Sequence, residues 1–126
     1  MRKIMMAGNW KMNKIGFEAV DFVHRLRDIL KHEENVEVVL CPPYTALPAT
    51  RVAVAGTFIT LGAQDVFWAD RGAYTGKISP RMLGDLDVTY VIVGHSETRG
   101  RFSIWRWAVG GSIRSGPTRR TSRSSP

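Results

Sequence analysis

Asn9 and Lys11 stand in the run Gly8-Asn9-Trp10-Lys11-Met12-Asn13, and His95 and Glu97 stand in the run Gly94-His95-Ser96-Glu97. A lysine ammonium can neutralise a phosphate or a developing oxyanion, and an asparagine amide can donate to a substrate oxygen. A neutral histidine can donate from one ring nitrogen to a carbonyl. Taken singly, each residue also has a plainer reading. A loop lysine is ordinarily solvated, a histidine is ordinarily held by structural hydrogen bonds, and Glu97 would also suit the first turn of a helix. Position bears on the choice without deciding it. The first run closes the apolar stretch Lys3-Ile4-Met5-Met6-Ala7, and the second follows Tyr90-Val91-Ile92-Val93. Polar side chains just past a buried strand lie where a parallel β/α architecture builds its sites.

The elements that would carry those residues can be read from the hydrophobic pattern. Strands are expected over residues 3–7, 36–41, 58–63 and 88–93, each a near-continuous apolar run, as strands covered on both faces require. Residues 17–31 carry Ala19, Phe22, Val23, Leu26, Ile29 and Leu30 at three- and four-residue spacing, which predicts an amphipathic helix. Asp21 and Arg25 form a weak pair on its polar face, where His24 is also solvated; His32, just beyond, is solvated too. Pro42-Pro43 stops the second strand, and residues 45–55 suit a short helix with Gly56 past its end. Ser79-Pro80 reads as a cap and first turn of another helix. The order β-α-β-α-β-loop-α-β predicts an α/β fold with a parallel sheet. The loop of residues 64–77 is long enough to be functional in itself, and its Trp68, Tyr74, Gly72 and Gly76 suit an interface.

Charge and cysteine content narrow the class. Of 18 Lys and Arg, 11 lie before Thr98, where they balance all 11 Asp and Glu; the other 7, all Arg, follow Glu97 and make the whole excess of +7. The basic character therefore belongs to a tail. The single cysteine, Cys41, excludes an intrachain disulfide and lacks partners at metal-ligand spacing, so it reads as a buried strand-end thiol. No run approaches the ~20 apolar residues of a membrane span, and polar residues interrupt the N-terminus early. A cytoplasmic protein is expected.

The two opening motifs and the loop Gln64-Asp65-Val66-Phe67-Trp68-Ala69-Asp70-Arg71-Gly72-Ala73-Tyr74-Thr75-Gly76 together resemble the triosephosphate isomerase family. The resemblance covers about residues 2–102 and implies the N-terminal half of a (β/α)₈ barrel, since a complete one takes ~250 residues. It implies interconversion of dihydroxyacetone phosphate and glyceraldehyde 3-phosphate in glycolysis and gluconeogenesis, with no cofactor and no metal. Asn9 and Lys11 would bind the triose phosphate. His95 would act as a neutral electrophile, which is known of the family, and Glu97 would support the lysine and asparagine. The resemblance also implies a homodimer through the loop 64–77, with Thr75 reaching the partner's site. The family's catalytic glutamate, lid loop and late phosphate loops have no counterpart here, so the chain is expected to be an inactive fragment.

Thr98 replaces the arginine usual in the family, while Arg99 and Phe102 still match. Residues 103–126 hold six Ser, five Arg, three Gly, two Pro and two Thr, with no Lys, Asp or Glu. That composition reads as disordered, and it suits translation in a shifted frame, with a naturally divergent tail as the alternative. The domain reading is thus 1–102 as partial barrel and 103–126 as tail. An alternative function is binding of nucleic acid or an anionic surface through those arginines and Trp105 and Trp107; the absence of a repeat argues against nucleic acid. Limited proteolysis is expected to remove residues 103–126 before it cuts the helix 17–31, and equal protection of the two would contradict the domain reading.

Overall fold

A computed structural model gives the structure of residues 2–30, 33–101, 106–107 and 113–114. By internal contacts the chain forms two units, Met1–Val93 and Gly94–Pro126. In the first, β1 (Ile4–Asn9), β2 (Val36–Cys41), β3 (Ile59–Ala63) and β4 (Tyr90–Val91) make one sheet in the order β1-β2-β3-β4. Every neighbouring pair is parallel. Parallel neighbours need long crossovers. These are α1 (Gly16–Ile29), then a 3₁₀ turn (Tyr44–Ala46) leading into α2 (Leu47–Val54), then the long loop with α3 (Pro80–Asp85). The result is a curled half-barrel of four strands with helices on its convex side.

The ladder explains the curl. β1 and β2 pair along their full length, from Ile4 with Val36 to Asn9 with Cys41. β2 meets β3 from Val38 with Ile59 to Leu40 with Leu61, but β3 meets β4 only at Gly62 with Tyr90 and Ala63 with Val91. The pairing climbs toward the C-terminal ends of the strands, the stagger of a tilted barrel. β4 is shorter than the predicted 88–93. The Thr89 and Ile92 N–H groups nevertheless donate to the carbonyls of Leu61 and Ala63, both at 2.9 Å, so the flanks of that apolar run still hang on β3.

Alternation along the strands sends one set of side chains toward the helices. Leu40 and Ile59 pack with Trp10, Ala19, Val23, Ala46 and Ala53, and with the half-buried Val38, Phe22 and Leu26. Leu61 and Ala63 pack with Leu47 and Leu83, joined by Val91 and Leu86. α1 is anchored by Ala19 and Val23, both fully buried, and its first turn is held by Glu18, whose carboxylate accepts from the Ile15 N–H at 2.9 Å. Ile15 has no side-chain acceptor, so only this half of a capping box forms. The Asp21–Arg25 pair is present at 3.0 Å on the exposed face, and His24 is exposed. Ser79 caps α3 as its position predicts, accepting from the Met82 N–H at 3.2 Å. Thr50, fully buried in α2, satisfies its hydroxyl on the Ala46 carbonyl at 2.7 Å.

The other set, on the concave face, includes Ala7, Val39, Cys41 and Gly62. Gly62 is required there by space. A Cβ at this position would lie 2.5 Å from Cys41 Sγ and 3.1 Å from Val39 Cγ1. In the second unit, Glu97–Arg101 forms a π-turn, and β5 (Arg106–Trp107) pairs antiparallel with β6 (Ile113–Arg114). The rest of the tail predicted to be disordered lies outside the described residues, as does His32. Gly62→Ala is expected to destabilise residues 2–93 by about 1–3 kcal/mol through overpacking, read as a lower urea midpoint. Adding Cys41→Ala should restore most of it, and an unchanged midpoint for Gly62→Ala alone would refute the steric account.

Candidate active site

Asn9 and Lys11 sit at the C-terminal end of β1, where the chain leaves the sheet. The Trp10 N–H carries the ladder one step further, donating to the Cys41 carbonyl at 3.1 Å. Trp10 itself is buried and meets Phe22 of α1 edge-on, with ring centroids 5.1 Å apart. Asn13 donates from its side chain to the Trp10 carbonyl at 2.8 Å. The turn is therefore nailed to the core by its tryptophan, and Lys11 is carried outward on a fixed backbone.

That backbone is strained. Lys11 has φ of 55°, in the left-handed region that a residue with a Cβ rarely occupies. Two side chains hold it there. Asn9 Oδ1 accepts from the Lys11 N–H at 3.0 Å. Gln64, the first residue after β3, donates through Nε2 to the Lys11 and Cys41 carbonyls, both at 2.8 Å. Strain of this kind persists only where the surroundings over-determine it, and it gathers at functional sites. Gln64 was legible in the sequence only as the start of a loop. Its position directly after a buried strand is the one signal that marks it, because its partners lie 53 and 23 residues away. Burial raises the Cys41 thiol above its ordinary pKa, which suits a packing group and not a nucleophile.

His95 and Glu97 belong to the second unit, opened by Gly94 at φ of 61°. The Glu97 N–H donates to His95 Nδ1 at 3.1 Å, and the Thr98 and Arg99 N–H groups donate to the His95 carbonyl at 2.9 and 3.0 Å. With Nδ1 accepting, the neutral ring carries its proton on Nε2; the assignment follows from that bond. The Glu97 carboxylate lies 3.6 Å from Nδ1, beyond hydrogen-bond length. The imidazole thus presents Nε2–H as a donor and keeps its other nitrogen occupied by backbone.

Thr75 is exposed on the long loop, between Gly72 and Gly76, both at positive φ. The loop is built on its own aromatics. Phe67 meets Tyr74 at 4.6 Å and Trp68 at 5.4 Å, and Trp68 meets Tyr74 at 5.6 Å. The Phe67 N–H donates to the Ile78 carbonyl at 2.8 Å and closes the base. Tyr44 ties the loop's start to the sheet by donating to the Asp65 carbonyl, and burial with the Asp65 charge pushes its phenol up to about 12. Trp68, at 77% exposure, is left pointing outward.

An apolar groove of about 750 Å³ in the first unit runs along β1, lined by Met5, Met6, Phe22 and Leu26 among others. It is not at the strand ends that carry Asn9, Lys11 and Gln64. Among the described residues no three His, Cys, Asp or Glu side chains converge as metal ligands, and no helix is long and apolar enough to cross a membrane.

The family model of triosephosphate isomerase matches residues 4–113. A triosephosphate isomerase of Alkaliphilus oremlandii is 52% identical over 103 residues, covering 82% of this chain and 41% of the relative. One from Trichodesmium erythraeum is 54% identical, covering 81% of this chain and 43% of the relative. One from Dictyoglomus thermophilum is 45% identical over 115 residues, 91% of this chain and 46% of the relative. The chain thus spans less than half the length of these curated relatives.

Gln64→Leu keeps side-chain bulk and removes both donated bonds. It is expected to lower stability by about 0.5–1.5 kcal/mol, the net worth of ordinary hydrogen bonds, because the Lys11 carbonyl is exposed and the Cys41 carbonyl keeps the Trp10 N–H, and to speed amide exchange at Lys11. Unchanged exchange at Lys11 would show that Gln64 does not hold the turn.

Proposed function

Because the chain belongs to the triosephosphate isomerase family, we propose that it carries the substrate-gripping part of a triose phosphate isomerase site and does not complete the reaction alone. The observation that supports this most directly is Lys11, held at positive φ between Asn9 and Gln64 at the mouth of the sheet. A flexible surface lysine needs no such support. A lysine that must present its ammonium at one place does.

The family reaction moves a proton between adjacent carbons of dihydroxyacetone phosphate and glyceraldehyde 3-phosphate through an enediolate. Negative charge develops on the carbonyl oxygen as a base removes the proton. The Lys11 ammonium offsets the phosphate charge and part of that developing charge, and Asn9 helps orient the substrate. His95 donates from Nε2–H to the oxygen, and the Glu97 carboxylate supports the surrounding donors. In the assembled enzyme the loop of Phe67, Trp68 and Tyr74 packs on a second subunit, with Thr75 at the neighbouring site.

The missing part is the base. Glu37 on β2 lies four residues, roughly 13 Å, short of that strand's C-terminal end. Asp85 and Asp87 sit at the opposite end of the sheet, before β4, where Asp87 pairs with Arg51 at 2.6 Å. The Glu97 carboxylate lies beside His95, 3.6 Å from Nδ1. A positioned general base is worth roughly 10²–10⁴-fold by itself. The purified chain is expected to show no triose phosphate turnover above blank in a coupled assay, with His95→Ala and Lys11→Ala indistinguishable from it. Turnover by the unmodified chain that both substitutions abolish would make it an enzyme in its own right and overturn the proposal.

A further inference from the structure

The turn of residues 10–14, which leads from β1 into α1, has a bare tip. Met12 is 94% exposed and buries almost nothing. Polar contacts hold the first half of the turn, from Asn9 and Gln64 to Lys11 and from Asn13 to the Trp10 carbonyl. The second half ends at Lys14, whose φ of 71° is again left-handed. Glycine or asparagine takes that conformation at less cost than a lysine does. Lys14 is half-buried, and its Nζ stands 4.8 Å from the Phe22 ring centroid and 5.9 Å from that of Trp10. These are the two rings that meet edge-on beneath the turn. Both distances lie within reach of a cation–π attraction. Glu18, Asp21 and Arg25 of α1 line the same groove. The two carboxylates are engaged elsewhere: Glu18 accepts from the Ile15 N–H at 2.9 Å, and Asp21 pairs with Arg25 at 3.0 Å.

A strained residue persists where its surroundings hold it in place. At Lys14 those surroundings are aromatic rings. The side chain folds back over the tryptophan four residues earlier, so both ends of residues 10–14 are fixed to the core. One end is fixed by the burial of Trp10, the other by an ammonium resting on Trp10 and Phe22. Lys11 lies between them. Fixing both ends of a short segment removes conformations from its middle. We propose that Lys14 is a positioning residue: its ammonium clasps the Trp10–Phe22 pair, closes the turn from the α1 side and so fixes where Lys11 presents its own amine. This role deepens the substrate-gripping reading and rests on it, since the Lys11 amine needs one fixed place only where it meets a substrate. The clasp itself needs no ligand, and it is measurable in the chain alone.

The test is amide exchange at Lys11 in the full 126-residue chain, with the amides of the fully buried Val23 and Val39 reporting global stability. Lys14→Met keeps the length of the side chain and removes its charge. It is expected to speed exchange at Lys11 about two- to fivefold, the worth of an exposed cation–π contact, and to leave Val23 and Val39 unchanged. Lys14→Arg keeps a cation that stacks on rings and should hold the parent rate. Lys14→Asn separates the clasp from the strain. It suits the left-handed backbone better than lysine but lacks the cation, so exchange at Lys11 should again rise. Phe22→Leu removes one ring and keeps an apolar side chain. In that background Lys14→Met should add clearly less than it does alone, because the two substitutions break one contact. No change at Lys11 in Lys14→Met, slower exchange in Lys14→Asn, loss of protection in Lys14→Arg equal to that in Lys14→Met, or an equal change at Val23 and Val39 would each overturn the proposal. So would Phe22→Leu and Lys14→Met effects that simply multiply. None of these readouts involves turnover, and the coupled assay decides the substrate-gripping reading, so the two fail separately.

Discussion

A parallel strand cannot turn back on its neighbour, and it cannot leave either face wet. Those two constraints organise residues 2–93. The first forces each strand pair to be joined by an excursion of seventeen or more residues, which brings Asn9 to Cys41 and Gly62 to Tyr90. The second forces the excursions to be helices with an apolar side, because something must lie over Val38, Leu40, Ile59 and Leu61. The cores that result are two local clusters, one under α1 and α2 and one under α3 and the loop base. Neither surrounds the sheet. The convex side is therefore largely satisfied, while the concave side carries a mixture of small residues, a thiol and a charged group.

The same arrangement explains why polar residues collect at one end. Strands enter the sheet after helices and leave it into loops, all in one direction. Whatever follows β1, β2 and β3 emerges on the same rim, so Lys11, Cys41 and Gln64 meet although they are far apart in sequence. Gln64 links the ends of all three strands with a single amide group. Trp10 makes this rim rigid from below, and the aromatic cluster of Phe67, Trp68 and Tyr74 makes the long loop a shaped projection instead of a slack one.

Much of this was written in local pattern. β2 spans the predicted residues 36–41, and the Ser79-Pro80 start of α3 follows its cap chemistry. Other elements were set by partners and not by their own residues. β1 runs to Asn9, past Gly8, because six consecutive residues of β2 pair with it; neither Gly nor Asn favours a strand. The helix expected over residues 45–55 begins instead as a 3₁₀ turn after Pro43, with α2 starting at Leu47. The motif residues Asn9, Lys11, His95 and Glu97 were legible through the family resemblance of their two motifs, but how they are held was not. The Gln64 bridge and the Tyr90–Glu37 bond join positions 53 residues apart, and no local rule ties an amide or a phenol to such a partner.

The left-handed turn at Lys11 has a consequence for how this position can change over time. Glycine would relax the backbone there, and asparagine would sit more comfortably than lysine. Both would discard the ammonium. Drift that improves thermal robustness therefore pushes this codon away from lysine, and only selection on what the amine does can push it back. Lys14 shares the conformation at φ of 71°, so the dihedral angle marks where that trade-off operates and the contacts of Asn9 and Gln64 set Lys11 apart.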